Sequence, residues 1–448
     1  MAPVHKSSIV LGLGILIGLL ISSLAAPGNA RANGAFPDSL QVLLPADQPH
    51  RIILATNFGL IISDDDGATW EWTCEPRGND NTILYQQAAR PSTRLFAVLV
   101  NHGLNYSDDD ACTWTPSGGA LSTAVAHDAF ADPTNQARIF AIAAVPGDGF
   151  VPSSVYRSDD GGLTFGNALD TAPAGGDLLG VESAVSDPAS VYLAIYGTQG
   201  ATAGQLEPLL GRSTDGGAHW TTRSLAASLG PAAFRIIAVD PTNPQRLFLR
   251  VTEAFDEKIA VSSNGGATFA EPITVDEQFT AFARLASGTI LLAGSNDSKP
   301  VAWRSTDNGA TFQTWPSPPH LRALAERDGK LYAAADNFLD QFALGVSTDQ
   351  GANFQRLLTF DQVKRVKPCV REFCYDLCSN LADLTLWPQQ VCGQAPDAGA
   401  RTDAGTGKLV SKGCSCDAGG QATGRGTGAL LVFGAALVAV RRRRPTGW

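Results

Sequence analysis

Two arginines, Arg235 and Arg322, open short apolar runs, FRIIAV and LRALAE, where a guanidinium group could take up a ligand carboxylate. A third arginine in the same place is missing, because Arg284 comes late in its run. Arg94, Arg138 and Arg246 recur just ahead of apolar runs, a position that predicts turn salt bridges instead of chemistry. Acidic, amide and aromatic residues gather in the segments between runs: Asp148 and Phe150, Gln199 and Glu207, Phe255 with Asp256 and Glu257, Asn296 and Asp297, Phe338 and Asp340. Carboxylates beside exposed rings suit a cationic peptide patch or binding assisted by Ca2+, and as plain solvated loops they need do neither. The triplets Asp64–Asp66 and Asp108–Asp110 lack the D-x-D-x-D-G spacing, ending in Glu, of a Ca2+ loop. None of the six His lies in H-E-x-x-H, and there is no G-x-S-x-G, so zinc-peptidase and serine-hydrolase chemistry has no motif here. No metal and no organic cofactor is expected beyond such a Ca2+ ion. A formal charge of −10 argues against nucleic acid as a partner.

The elements that must hold these residues are set by an internal repeat. Seven segments share the pattern S-x-D-x-G-x-T-[W/F]. They begin at Ser63, Ser107, Ser158, Ser213, Ser262, Ser305 and Ser347, with spacings of 44, 51, 55, 49, 43 and 42 residues. That is the length of a four-stranded blade with variable loops, so the chain reads as all-β, a seven-bladed β-propeller of four-stranded antiparallel sheets over residues 39–360. Within each segment the residues have mechanical tasks. Ser63 and Asp65, Ser158 and Asp160, and Ser305 and Asp307 are placed to fold back on the amides of a tight turn. Gly67, Gly162 and Gly309 relieve a left-handed backbone position. Trp70, Phe165 and Phe312 open the next strand with a ring that can lie between sheets. Ala111, His219, Asn264 and Asn353 depart from the pattern, which predicts weaker second, fourth, fifth and seventh turns.

The copy FRIIAVDPTNPQRLFLRV gives the strands of one blade: A at Ile236–Val239, B at Leu247–Val251, C at Ile259–Val261 and D from Phe269. The repeated turn then joins strands C and D and shares one face of the disc with the A–B turns. Binding loops belong on the opposite face, where the B–C connections vary in length. The repeat resembles the BNR/Asp-box of sialidases, sortilin-type receptors and the photosystem II assembly factor. As a sialidase the chain would need an arginine cluster, a Tyr nucleophile assisted by Glu, and an acid. The early Arg-Ile-Pro motif of that family is missing, and only Arg235 and Arg322 are placed to serve a carboxylate. The resemblance therefore favours a non-catalytic module that grips a protein, peptide or glycan, with a secreted glycoside hydrolase as the alternative.

The ends of the chain predict export. Lys6, an apolar run from Ile9 to Ile21, and Ala30-Arg31-Ala32 make a signal peptide over residues 1–32, whose removal takes the net charge to −12; a membrane anchor is the other reading of that run. At the far end, Gly413-Cys414-Ser415-Cys416, an apolar run from Ala429 to Val440, and Arg441 to Arg444 resemble the MYXO-CTERM sorting tag of myxobacterial surface proteins. The resemblance implies cleavage near Cys414 and retention on the outer surface. A permanent anchor is the alternative, against which stands the shortness of the run.

Cys369, Cys374, Cys378 and Cys392 enclose a helix-like stretch in a small unit at residues 364–392. Zinc would use the face shared by Cys374 and Cys378 too, yet the spacing lacks a C-x2-C knuckle, so two disulfides are expected within this unit. Cys74 and Cys112 fall in neighbouring blades, where an interblade disulfide could form. Residues 393–412, rich in Ala, Gly, Asp and Thr, read as a flexible linker.

Overall fold

The computed structural model describes residues 37–395 apart from short segments between strands, the longest at 146–151 and 199–205. The signal segment, most of the linker, and the C-terminal tag with Cys414 and Cys416 lie outside the described residues.

Seven sheets of four antiparallel strands follow one another along the chain. Blade 5 illustrates the unit: Ala233–Val239, Leu247–Thr252, Glu257–Ser262 and Ala270–Val275. Strands A and C are longer than the apolar letters alone suggest, because ladder pairing carries them through polar residues such as Arg235 and Glu257. Strand A of each blade lies at a sheet edge and beside the strand A of a neighbour, as Leu321–Arg327 does with Ser39–Leu43, so these strands line the central channel of a propeller. The second strands are covered on both faces by adjacent blades, and Ile52–Thr56 and Leu95–Leu99 are buried at every residue.

Each repeated turn starts at the last residue of strand C. In the first, Ser63 Oγ donates to Asp65 Oδ1 at 2.8 Å and accepts the Gly67 amide, while Asp65 takes the amide and hydroxyl of Thr69. The four departures do not break this network. Asn264 accepts in place of Asp, His219 Nδ1 and Asn353 Nδ2 reach the turn Asp at 2.6 and 2.8 Å, and the Ala111 amide still finds Ser107 Oγ. The expected weakening is therefore absent from the hydrogen bonding. It survives as backbone strain in the second turn, where Ala111 has φ +62°. Elsewhere glycine is needed twice over. Gly162 has φ +83°, and a Cβ there would sit 2.4 Å from Phe96 Cε1 of the previous blade.

Arginines tie the blades together on this side. Arg94–Asp108 at 2.6 Å, Arg138–Asp132 at 3.4 Å and Arg246–Asp240 at 2.8 Å are the turn salt bridges that their recurrence predicts. A wider pattern runs round the ring. Arg51 pairs with Asp110 of the second turn, Arg94 donates to the Gly161 carbonyl of the third, and Arg157 donates to Gly216 of the fourth. Arg212 lies against Gly265 of the fifth, Arg246 reaches Asn308 of the sixth, and Arg304 donates to Gln350 of the seventh. Arg327 of blade 7 completes the circle on the Arg51 carbonyl at 2.6 Å.

Blade 7 ends at Leu358, and the chain then returns to blade 1. Arg365–Val366 adds a fifth strand, parallel to Glu71–Thr73. The helix Arg371–Asp383 follows, with Cys374 and Cys378 on its buried face. The disulfides differ from those expected. Cys74 pairs with Cys374, Cys112 with Cys369, and only Cys378–Cys392 is internal to the segment. Instead of a direct Cys74–Cys112 bridge, the C-terminal segment spans both blades. Trp387 packs on Phe58 and Trp72 with ring centroids 5.9 and 5.2 Å away, so this segment shares the core of blade 1.

Candidate functional site

Strand A of each blade begins at the face opposite the repeated turns, so its first residues form the mouth of the channel. Arg322 sits there between blades 7 and 1. Its Nε donates to Asp38 Oδ2 at 2.8 Å and its Nη2 to Asp336 Oδ2 at 3.1 Å. Both forks of the guanidinium are thus engaged by the protein. Arg235 donates to the Leu179 carbonyl of blade 4 at 2.6 Å and is otherwise exposed. The structure does not bring the two arginines together on one ligand position.

Motif reasoning missed two carboxylates here: Asp128, which feels the charge of Arg235, and Glu182, which feels that of Asp128. Asp128, on Val125–Ala131 of blade 3, accepts the Ala129 amide at 3.0 Å and the Val181 amide of blade 4 at 3.1 Å. Glu182 is the residue after Val181 on Asp177–Ala184. Burial pushes the Asp128 carboxyl up to about 6, against the pull of the Val181 amide and of Arg235. Burial also raises Glu182 well above the usual carboxylate range, and the charge of Asp128 adds to that. Both side chains keep partial access to water along the channel while protein surrounds them, which explains why desolvation dominates. Such a site favours either a proton or an incoming cation.

The acidic loops are less available than the sequence suggests. Asp148, Phe150, Gln199, Phe255 and Asp297 lie outside the described residues. Glu257 is no loop residue. It begins strand C of blade 5, is 6% exposed, accepts the Phe279 amide of blade 6 at 2.7 Å and pairs with Arg250, so it is an interblade strut. Neighbouring Asp256 is half-buried at the turn, its carbonyl accepting the Glu253 amide. Glu207 starts strand C of blade 4 and accepts the Ser224 hydroxyl. Asp340 takes the His320 amide at 2.8 Å and its Nδ1 at 3.0 Å, which fastens this loop of blade 7 to the residue just ahead of that blade's strand A. Phe338 packs edgewise on Phe360, while Leu339 beside it is 64% exposed. The acidic triplets are paired with cations: Arg51 on Asp64, Arg94 on Asp108, and both Arg51 and Lys367 on Asp110. Among the described residues no group of three or more His, Cys, Asp or Glu could hold a metal ion, and no helix is long and apolar enough to cross a membrane.

No family model and no curated protein matches the chain. Among solved structures, an ancestral GH74 enzyme matches with TM-score 0.52 and 14% identity, covering 71% of this chain and 46% of its own. The GH74 xyloglucanase from Xanthomonas campestris matches with TM-score 0.35 at 14% identity, covering 74% and 59%. YCF48 bound to D1 peptide matches with TM-score 0.43 at 15% identity, covering 66% and 88%. The chain thus spans less than half of the ancestral enzyme's length. The first likeness agrees with the sheet order: this is a seven-bladed β-propeller with structural neighbours among GH74 enzymes and YCF48.

Proposed function

We propose that the protein is an exported, surface-held binding propeller that receives a cationic group of a protein, peptide or glycan ligand at the channel mouth, with Asp128 and Glu182 as its acceptors. One observation carries this reading. Two neighbouring carboxylates are desolvated, Asp128 within the influence of Arg235 and Glu182 within that of Asp128, while Arg322 is engaged by Asp38 and Asp336. A cation entering there would displace the proton that burial favours, so affinity should rise with pH through about 6. Three disulfides, two of them joining distant parts of the chain, support an oxidising compartment. The tag would then hold the propeller on the outer surface, with no role for nucleic acid.

The test is capture from an envelope extract on immobilised mature protein, wild type against the Asp128→Asn, Glu182→Gln double variant. Isotherms with the captured partner at pH 5 and pH 8 follow. Loss of capture by the folded variant and tighter wild-type binding at pH 8 are expected. Equal capture by both proteins would end this reading. A second reading, glycoside hydrolysis, draws on the same pair, because a carboxyl held protonated near neutral pH beside a second carboxylate can act as a general acid. Turnover of fluorogenic glycosides that falls as pH rises and is lost in Glu182→Gln would favour it.

A further inference from the structure

A groove of about 380 Å³ lies on the flank of blades 6 and 7, away from the channel carboxylates. Its aromatic wall comes from three rings. Phe354 stacks against Trp315, with centroids 6.1 Å apart and planes inclined by 29°, and against Phe342 at 6.4 Å and 29°. Pro316, Pro318, Pro319 and Asp340 line the groove as well. Trp315 is only 7% exposed and underlies the seventh turn. Its indole N–H has no hydrogen-bond partner among the described residues. By contrast, the N–H groups of Trp70, Trp72 and Trp387 each donate to a backbone carbonyl. Nor is it sealed off like those of Trp114 and Trp220. The ring is largely buried, but its unpartnered donor is thus left accessible to something that enters the groove.

The geometry selects among ligands. A pyranose needs a flat, open ring face to lie on, and here the largest ring is almost covered while the phenyl faces are engaged with their neighbours. Aromatic edges carry partial positive charge and suit carbonyl oxygens. A polyproline II segment has no internal hydrogen bonds, so its carbonyls require outside donors, and its pyrrolidine rings seat against aromatic walls. Asp340 has acceptor capacity beyond its two bonds from His320 and supplies the opposite charge for a basic residue. We propose that this groove binds an extended, proline-containing segment of a partner protein, with a Lys or Arg next to the prolines over Asp340.

The experiment uses the mature protein and a fluorescein-labelled peptide of sequence Pro-Pro-Arg-Pro-Pro-Arg-Pro, read by anisotropy. A control peptide replaces every Pro by Ala and keeps both Arg. Saturable binding of the first, at least tenfold tighter than the second, is expected. Trp315→Phe, which keeps an aromatic side chain but removes the N–H along with part of the indole, should weaken it at least tenfold with the melting temperature monitored in parallel. Equal binding of the Ala peptide, or no binding of either, overturns the proposal. So does saturable binding of xyloglucan oligosaccharide that the proline peptide fails to displace. If Trp315→Phe does not fold, the comparison of the two peptides on the wild-type protein decides the matter alone.

Discussion

The two long disulfides should behave as a coupled pair, which double removal can expose. All three bridges have the same Cα–Cα separation of 5.6 Å, but they join residues 300, 257 and 14 apart. A cross-link stabilises chiefly by shrinking the unfolded ensemble, and the effect grows with the logarithm of the loop it closes. For the short Cys378–Cys392 loop the expected loss on removal is about 3 kcal/mol. Either long bridge alone would contribute about 5–6 kcal/mol. With both present, however, the second closes a loop of only roughly 40 residues and adds about 4 kcal/mol. Removing Cys74–Cys374 or Cys112–Cys369 singly, by paired Cys→Ala changes, should therefore lower stability by about 4 kcal/mol, and removing both by about 10 kcal/mol. The double loss exceeds the sum of the single losses by about 2 kcal/mol, because each bridge protects the ring when the other is absent. A loss near 10 kcal/mol approaches the whole stability of an ordinary domain, so the variant lacking both should be largely unfolded in water. Urea unfolding of the three paired variants and the quadruple one measures this. Additive losses, or a Cys378–Cys392 effect larger than either single long-bridge effect, would refute the chain-entropy reasoning.

The repeated turns and the channel give two further tests. Gly67→Ala places a methyl 2.7 Å from Leu357 Cδ1 at φ +89°, so thermal unfolding should show a loss of about 1–3 kcal/mol. Asp128 and Glu182 bind protons more tightly in the folded state than in the unfolded chain, so they destabilise once deprotonated. Stability should fall as pH climbs from about 4 through about 6 for Asp128, and over a range reaching higher for Glu182. Glu182→Gln should flatten that decline, raising the melting temperature at pH 8 and changing little at pH 4. Asp307 and Asp349 act oppositely. Turn hydrogen bonds hold them at about 2, so their contribution is complete above pH 4 and fades as pH drops towards 2.

The propeller was legible because each blade repeats one local device. A Ser and an Asp two residues on close a turn whose bonds are all within five residues, and seven such turns at nearly even spacing leave few architectures open. Local chemistry read from letters works where the partners are local. It fails where partners are remote. Cys74 and Cys112 look like neighbours for each other, yet their sulfurs meet Cys374 and Cys369, which only the return of the chain onto blade 1 brings near. Glu257 looks like a loop acid because it follows Asp256, and it is buried because a remote amide, that of Phe279, needs an acceptor there.

The channel carboxylates show which signal was available and passed over. Asp128 lies in VAHDAFA and Glu182 in LLGVESA, runs that otherwise read as buried strand. A lone carboxylate inside an apolar strand must find donors or hold a proton, since an unpaired buried charge is too unfavourable to persist. Asp128 found two amides. Glu182 has no hydrogen-bond partner among the described residues and answers by the shift of its pKa. The loop acids, solvated or already paired, face no such strain. An acid that must remain protonated to be comfortable in the free protein is the one whose ionisation a cationic ligand can reward. If the proposed reading holds, ligand selection belongs to these two inner-strand carboxylates and not to the loop acids.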